Sequence, residues 1–331
     1  MHARKLACCL TSALLLLATL TVSAVEYGAR AYGMGGAYNA LSSGVSSLVH
    51  NPAGIGAKRF DVTASVWTTD TDLVSSLGSA LVEPVELDGD CTLSALAGVG
   101  VGSVAVGAWA DGKYQTKTDG ANRVLDTQVN KHFALGTGFG IISVPLNAGG
   151  LRMGLEVQHN QGERTQFVVD PETRSVVQKT EWNGKGHSLS AGFQVNITSM
   201  VTLGIATRDL VAQTQWTGTT TTGEETKPAS PYVETPKPVS SGGIAFKVPG
   251  LKITLAVEGD TTGTVRLGGE SNLFFNAVSL RAGQIRPKDG KPTNTVGLGF
   301  NLGPLSAGIA AGSKNGFTDL EAMVADASIR F

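Results

Sequence analysis

Met323, Ala325, Ala327, Ile329 and Phe331 occupy every second position of the chain's last segment, with Asp326, Ser328 and Arg330 between them. A period of two puts alternate side chains on opposite faces of a β-strand, whereas an apolar helix face needs spacings of three and four. The same alternation runs through residues 60–66, 151–157 and 251–258, the latter two carrying charges on the polar face. A strand apolar on one side and charged on the other needs two different surroundings. An all-β fold that gathers the charged faces on one side and the apolar faces on the other satisfies both.

Counted back from Phe331, strands fall near 321–331, 305–313, 293–302, 277–286, 263–271, 251–259 and 241–248. An earlier set falls near 200–213, 187–197, 150–160, 132–144, 102–111, 91–99 and 58–68. That makes about 14, an even number that leaves both ends of the barrel wall on one side. Connections alternate in length. Short ones lie at 99–101, 196–199, 249–250 and 303–304; long polar ones lie at 69–90, 112–131, 161–186 and 214–240. The last is rich in Thr, Pro and Glu and reads as mobile, and 161–186 leaves room for an additional hairpin. Tight turns at one end and long loops at the other are the layout of bacterial outer-membrane barrels. The fold class expected is an antiparallel transmembrane β-barrel of about 14 strands, with outer-membrane lipid around it. A terminal Phe331 within such a strand resembles the signal read by the barrel-assembly machinery, a further expected partner.

Composition agrees. The chain has 331 residues, 43 of them Gly, with 16% charged residues and a formal net charge of −1. Closely packed strands suit this balance, and the absence of a basic run excludes an electrostatic footprint for nucleic acid. Residues 1–24 read as a cleaved signal peptide: basic His2, Arg4 and Lys5, an apolar run from Leu10 to Leu20, then small-residue Val22-Ser23-Ala24. That run is about half the roughly 20 residues a spanning helix needs. Export to the cell envelope follows, with a mature chain from Val25 whose lone Cys91 forms no intrachain disulfide.

If the apolar face meets lipid, the polar face lines the lumen. Asp61, Arg152, Glu156, Arg208, Lys247, Lys252, Glu258, Arg266, Arg281, Asp326 and Arg330 are then inside. A Lys or Arg on the lipid face near mid-membrane would cost about 2–4 kcal/mol, so the interior is the cheaper place. Charges of both signs can pair there, and a salt-bridge network holding the wall is a stronger reading than a selectivity filter.

Residues 28–57 contain Gly33-Met34-Gly35-Gly36-Ala37, then Asn51-Pro52-Ala53-Gly54. This arrangement resembles the N-terminal segment of the FadL-type outer-membrane transporter superfamily, most closely its PorV/PorQ-like branch. The resemblance implies that residues 25–57 fold as a hatch, or plug, inside a barrel formed by residues 58–331. It also implies passage of hydrophobic small molecules such as fatty acids, which meet the hatch and leave sideways through the wall. For the PorV-like branch it implies instead an outer-membrane partner of a secretion system and its exported proteins, and a structural surface barrel whose loops are its function is the remaining alternative. The residues suit a plug: Gly33, Gly35 and Gly36 permit tight turns, Asn51-Pro52 starts one, and Ala37 to Val49 suggests a short helix. Leu73, Val74, Leu77, Leu81 and Val82 in the first loop offer the nearest apolar surface for capturing a ligand.

Signals for chemistry are poor. His2, His50, His132, His159 and His187 show no metal-ligand spacing, and His159 reads as a rim residue. No Gly-x-Ser-x-Gly elbow occurs, and the glycines at 33–36 lack the strand and third glycine of a dinucleotide site. No cofactor, metal or catalytic residue is expected.

Overall fold

The computed structural model describes residues 27–57, 60–69, 91–119, 122–142, 150–170, 175–248, 250–317 and 320–331. The expected signal peptide and the apolar Leu73 to Val82 stretch lie outside the described residues.

Among the described residues the strands are β1 (Phe60–Thr68), β2 (Cys91–Val101), β3 (Val104–Asp119), β4 (Asn122–Ile142), β5 (Leu151–Val169), β6 (Val176–Asn196), β7 (Val201–Thr222) and β8 (Glu225–Glu234). They continue as β9 (Val239–Val248), β10 (Ile253–Asp260), β11 (Val265–Leu273), β12 (Val278–Arg286), β13 (Thr293–Leu302), β14 (Leu305–Ser313) and β15 (Ala322–Arg330). Each pairs antiparallel with its sheet neighbours, β1 pairs with β15, and β6–β7 and β7–β9 complete the circuit. Strand β8 hangs on the upper part of β7 alone, so 14 of the 15 strands form a closed barrel. At the seam the chain end is stitched in: Phe331 and Phe60 exchange backbone hydrogen bonds of 3.0 and 3.3 Å, and their rings lie 5.9 Å apart.

The alternation lands as the sequence requires. On β5, Leu155 and Val157 are exposed outward while Gly154 and Glu156 are buried inward. Leu135, Ile205, Leu255 and Ile309 continue the outward apolar band. Closure pairs the wall strands over nearly all of this band, so the outer face is compatible with hydrocarbon.

The two halves of the wall differ in height. Strands β9 to β15 have 8 to 10 residues, close to the roughly 9–11 that a tilted strand uses to cross a bilayer. Strands β3 to β7 have 16 to 22. At about 3.3 Å per residue they run well past the membrane. The stretches expected as loops at 112–131, 161–186 and 214–240 are thus mostly the upper parts of three hairpins, and 161–186 holds no separate one. Cross-strand pairs hold this tall rim together: Arg164 grips Asp126 through two hydrogen bonds of 3.0 and 2.6 Å and covers the Trp182 ring, while Trp216 stacks on Tyr232. Above the lipid both faces of a strand meet water or lumen, so polarity there does not mark a loop.

Candidate functional site: the hatch and the cavity above it

Residues 27–57 lie inside the barrel. Gly28, with φ of 94°, leads into a single helical turn, α1 (Ala29–Gly33). Gly35 and Gly36 then reverse the chain in the left-handed region, at φ of 61° and 73°. The helix expected across Ala37 to Val49 does not form. The Tyr38 and Asn39 amides donate to the wall carboxylate of Glu258, and Gly44 takes a φ of 68°, leaving only a 3-10 turn at 44–48. A second 3-10 turn begins at Pro52, capped by the Asn51 side chain, which accepts from the Ala53 amide. The other end of that amide donates to the carbonyls of Asn39 within the hatch and Phe193 on β6, both at 3.0 Å.

Wall carboxylates hold the segment by its donors. Asp326 accepts the Ala29 amide at 2.7 Å, and Asp61 accepts the Val45 amide at 2.7 Å. Glu258 accepts the amides of Tyr38 and Asn39 and the Asn39 side chain. Glu270 sits between two guanidinium groups, Arg30 of the hatch at 2.8 Å and Arg281 of β12 at 2.8 Å. Asp111 takes the Tyr27 hydroxyl. The interior charges are therefore fastenings for the hatch as well as a wall network. Arg330 completes Asp61 at 3.2 Å, and Arg266 joins Asp260 at 2.7 Å beside Glu258.

Glycines supply the bed. A Cβ at Gly192 would overlap the Asn51 side chain, at Gly154 the Pro52 backbone and at Gly138 the Ile55 backbone. Across the barrel, one at Gly268 or Gly283 would overlap Met34 and Gly35. Bare backbone on the inner wall is what lets the hatch pack so closely.

The structure brings Gly33, Met34, Gly35 and Gly36 against β11, β12 and β13, and it buries Asn51, Pro52, Ala53 and Gly54 against β4, β5 and β6. The side chains of Asp61, Glu258, Arg266, Arg281, Asp326 and Arg330 lie on the hatch side of the wall, and Arg152 is half-buried low on β5. Lys252 is a correction. Its parity along 251–258 pointed inward, but it stands in the β9–β10 turn with φ of 53°, exposed, its ammonium over the Phe275 ring. The alternation begins only at Ile253, after the turn.

Glu156 and Arg208 belong to a different feature, a cavity of about 320 Å³ on the long-hairpin side of the hatch. Tyr27, Leu48 and Val49 form its floor. Trp109 and His132 line one side, stacked with centroids 5.3 Å apart, and His132 is held to Asp111 at 3.1 Å. Trp216 lines the other side, donating from its indole to Glu234 at 3.1 Å. Trp109, Asp111, Trp216 and Glu270 carry no motif in the sequence, and His132 shows there only as one of the scattered histidines. The inward parity of these strand residues is a signal, but nothing in sequence order joins β3 and β4 to β7, or Tyr27 of the hatch to either.

Beside this cavity the wall is interrupted. Along β6 the register jumps between Leu189 and Ala191, so residues 208–210 bulge opposite Ser190, with Asp209 at φ of 54°. On its other edge, β7 pairs with β9 up to Arg208 and with β8 only from Thr214. Pro236 and Lys237, in the connection between β8 and β9, line the cavity at this gap.

No protein-family model matches the chain, and no curated protein matches it. Solved structures do. The Ralstonia pickettii toluene transporter TbuX aligns at a TM-score of 0.60 with 11% identity, covering 92% of this chain and 98% of its own. The Pseudomonas putida toluene transporter TodX aligns at 0.57 with 12% identity, covering 93% and 99%. A Pseudomonas aeruginosa FadL homologue aligns at 0.56 with 12% identity, covering 95% and 99%. The chain thus has the fold of FadL-type transporters over nearly its whole length.

Proposed function

We propose that this chain is a bacterial outer-membrane channel for hydrophobic small molecules, exported by residues 1–24 and inserted through its C-terminal Phe331 signal. The observation that carries the reading is the position of the cavity. It lies between the tall rim and the hatch, and it reaches the wall where β7 is hydrogen-bonded on one edge only. A solute that enters from outside meets the hatch there, with a lateral gap at hand. The fold shared with structures described as toluene transporters supports the same direction. Asn51 and Pro52 are packed tight, and the open space stands instead over Leu48 and Val49.

Gating by residues 28–57 is tested by deleting them. The shortened protein should still insert as a heat-modifiable barrel, and liposomes carrying it should leak hydrophilic solutes that the intact protein retains. Unchanged permeability would remove the hatch from the mechanism. A second reading, a PorV-like partner of exported proteins, draws on the rim, where Val176, Val177 and Val233 are exposed above the belt. It calls for an exported protein that copurifies with the intact barrel and is lost when the β7–β8 hairpin is shortened.

A further inference from the structure

The lining of the cavity is not that of a hydrocarbon tube, and its chemistry narrows the solute that the proposed channel takes. Four carboxylates (Asp111, Glu156, Asp209 and Glu234) face it against two permanent cations, Arg208 and Lys237. Two of those carboxylates are engaged: Asp111 by the Tyr27 hydroxyl and His132, Glu234 by the Trp216 indole. Glu156 is different. It is 3% exposed, lines the cavity, and its Oε1 has no hydrogen-bond partner among the described residues. An open oxygen on a buried carboxyl is costly, so the group takes up a proton or meets a donor; Ser190 and Arg208 line the same cavity, yet this oxygen is left for a ligand to meet. Trp109, Trp216 and Tyr27 also line the cavity; His132 stacks on Trp109 and Tyr232 on Trp216, so what they offer a ligand is mainly ring edges, which suit a flat ring in edge-to-face contact. A volume of about 320 Å³ admits a small molecule and not a long lipid chain held straight.

We infer that the cavity binds a small aromatic ammonium compound, with its ring against the indole walls and its N–H donors on Glu156. The inference rests on the channel reading and deepens it. In its neutral form an aromatic amine is mostly apolar, so it can use the route a hydrocarbon would use, and once protonated it can satisfy Glu156. The floor of the site is the hatch itself, through Tyr27, Leu48 and Val49, so an occupied cavity bears directly on the element that closes the barrel.

The test uses the full mature protein in detergent and titrates it calorimetrically with benzylamine and with its neutral counterpart, benzyl alcohol. The wild type should bind the amine about tenfold or more tightly than the alcohol, and Glu156→Gln should abolish that preference while leaving the alcohol's affinity within about twofold. Equal affinities for the two in the wild type would overturn the inference, as would unchanged amine binding in Glu156→Gln. If the variant does not insert, judged by heat-modifiable migration, the wild-type preference decides alone. The same preparation in liposomes, assayed for toluene uptake, separates the two levels of the argument. Uptake without amine preference removes only this inference. Neither uptake nor binding of any of the three compounds removes the channel reading with it.

Discussion

The short wall, β9 to β15, and the tall wall, β3 to β7, hold the same hatch by different means. On the short side the fastenings are ionic or charge-assisted: Glu258 and Asp326 accept hatch amides, and Glu270, braced by Arg281, holds Arg30. On the tall side they are largely steric and neutral. Gly138, Gly154 and Gly192 give the Asn-Pro-Ala-Gly corner its seat, and the Asn51 and Gln194 amides bond across it. Above that corner the tall wall opens into the cavity. One wall therefore anchors and the other leaves space, and a hatch fixed this way would yield first on the tall side.

Four substitutions would break or sharpen this contrast. The largest effect belongs to Glu270→Gln, which leaves two arginines without their shared carboxylate. Breaking a buried pair costs about 3–5 kcal/mol, so the temperature at which the folded band disappears on a gel should fall steeply. Next comes Gly192→Ala, whose Cβ overlaps the Asn51 side chain. Overpacking of about 1–3 kcal/mol should appear as raised liposome leakage more than as loss of the barrel, because the hatch can shift where the wall cannot. Asn51→Ala removes the cap of the Pro52 turn and the bond to Phe193. A loss of about 1–3 kcal/mol, again read as leakage, is the expected result. Arg164→Ala has the smallest effect on the hatch. It strips the bidentate partner from mostly buried Asp126 on the rim, at a cost of about 1–3 kcal/mol to the barrel, and neither leakage nor cavity binding should change. Equal leakage from Glu270→Gln and Gly192→Ala, at matched stability, would erase the distinction between the walls.

The barrel was legible because its strands each face two solvents, and a period of two survives any uncertainty at strand ends. The rim was not. Where β3 to β8 rise above lipid, outward residues such as Lys131 and Gln215 replace the apolar side of the pattern, and polarity alone reads as loop. The plug motif was legible in Gly33–Gly36 and Asn51–Gly54, but its helix was misplaced, since wall acceptors on β10 claim the amides that a helix from Ala37 would have used internally. Lys252 failed for a local reason, a turn residue that keeps strand parity without being in the strand. The glycine bed was invisible among 43 glycines, because what distinguishes Gly192 from Gly223 is the hatch atom opposite it and not the residue itself. The cavity needed β3, β4, β5 and β7 brought together, a fact of closure that sequence order does not display.

The central claim is that the barrel crosses a membrane with its tall rim and cavity outside and its tight turns inside. A membrane-impermeant thiol probe on intact cells tests it directly, using Glu225→Cys, Asp289→Cys and Lys252→Cys in a Cys91→Ser background with heat-modifiable migration as the check on folding. Labelling is expected at 225 and 289, and at 252 only after the cells are permeabilised. Labelling at 252 in intact cells, or at none of the three in a folded protein, would contradict it.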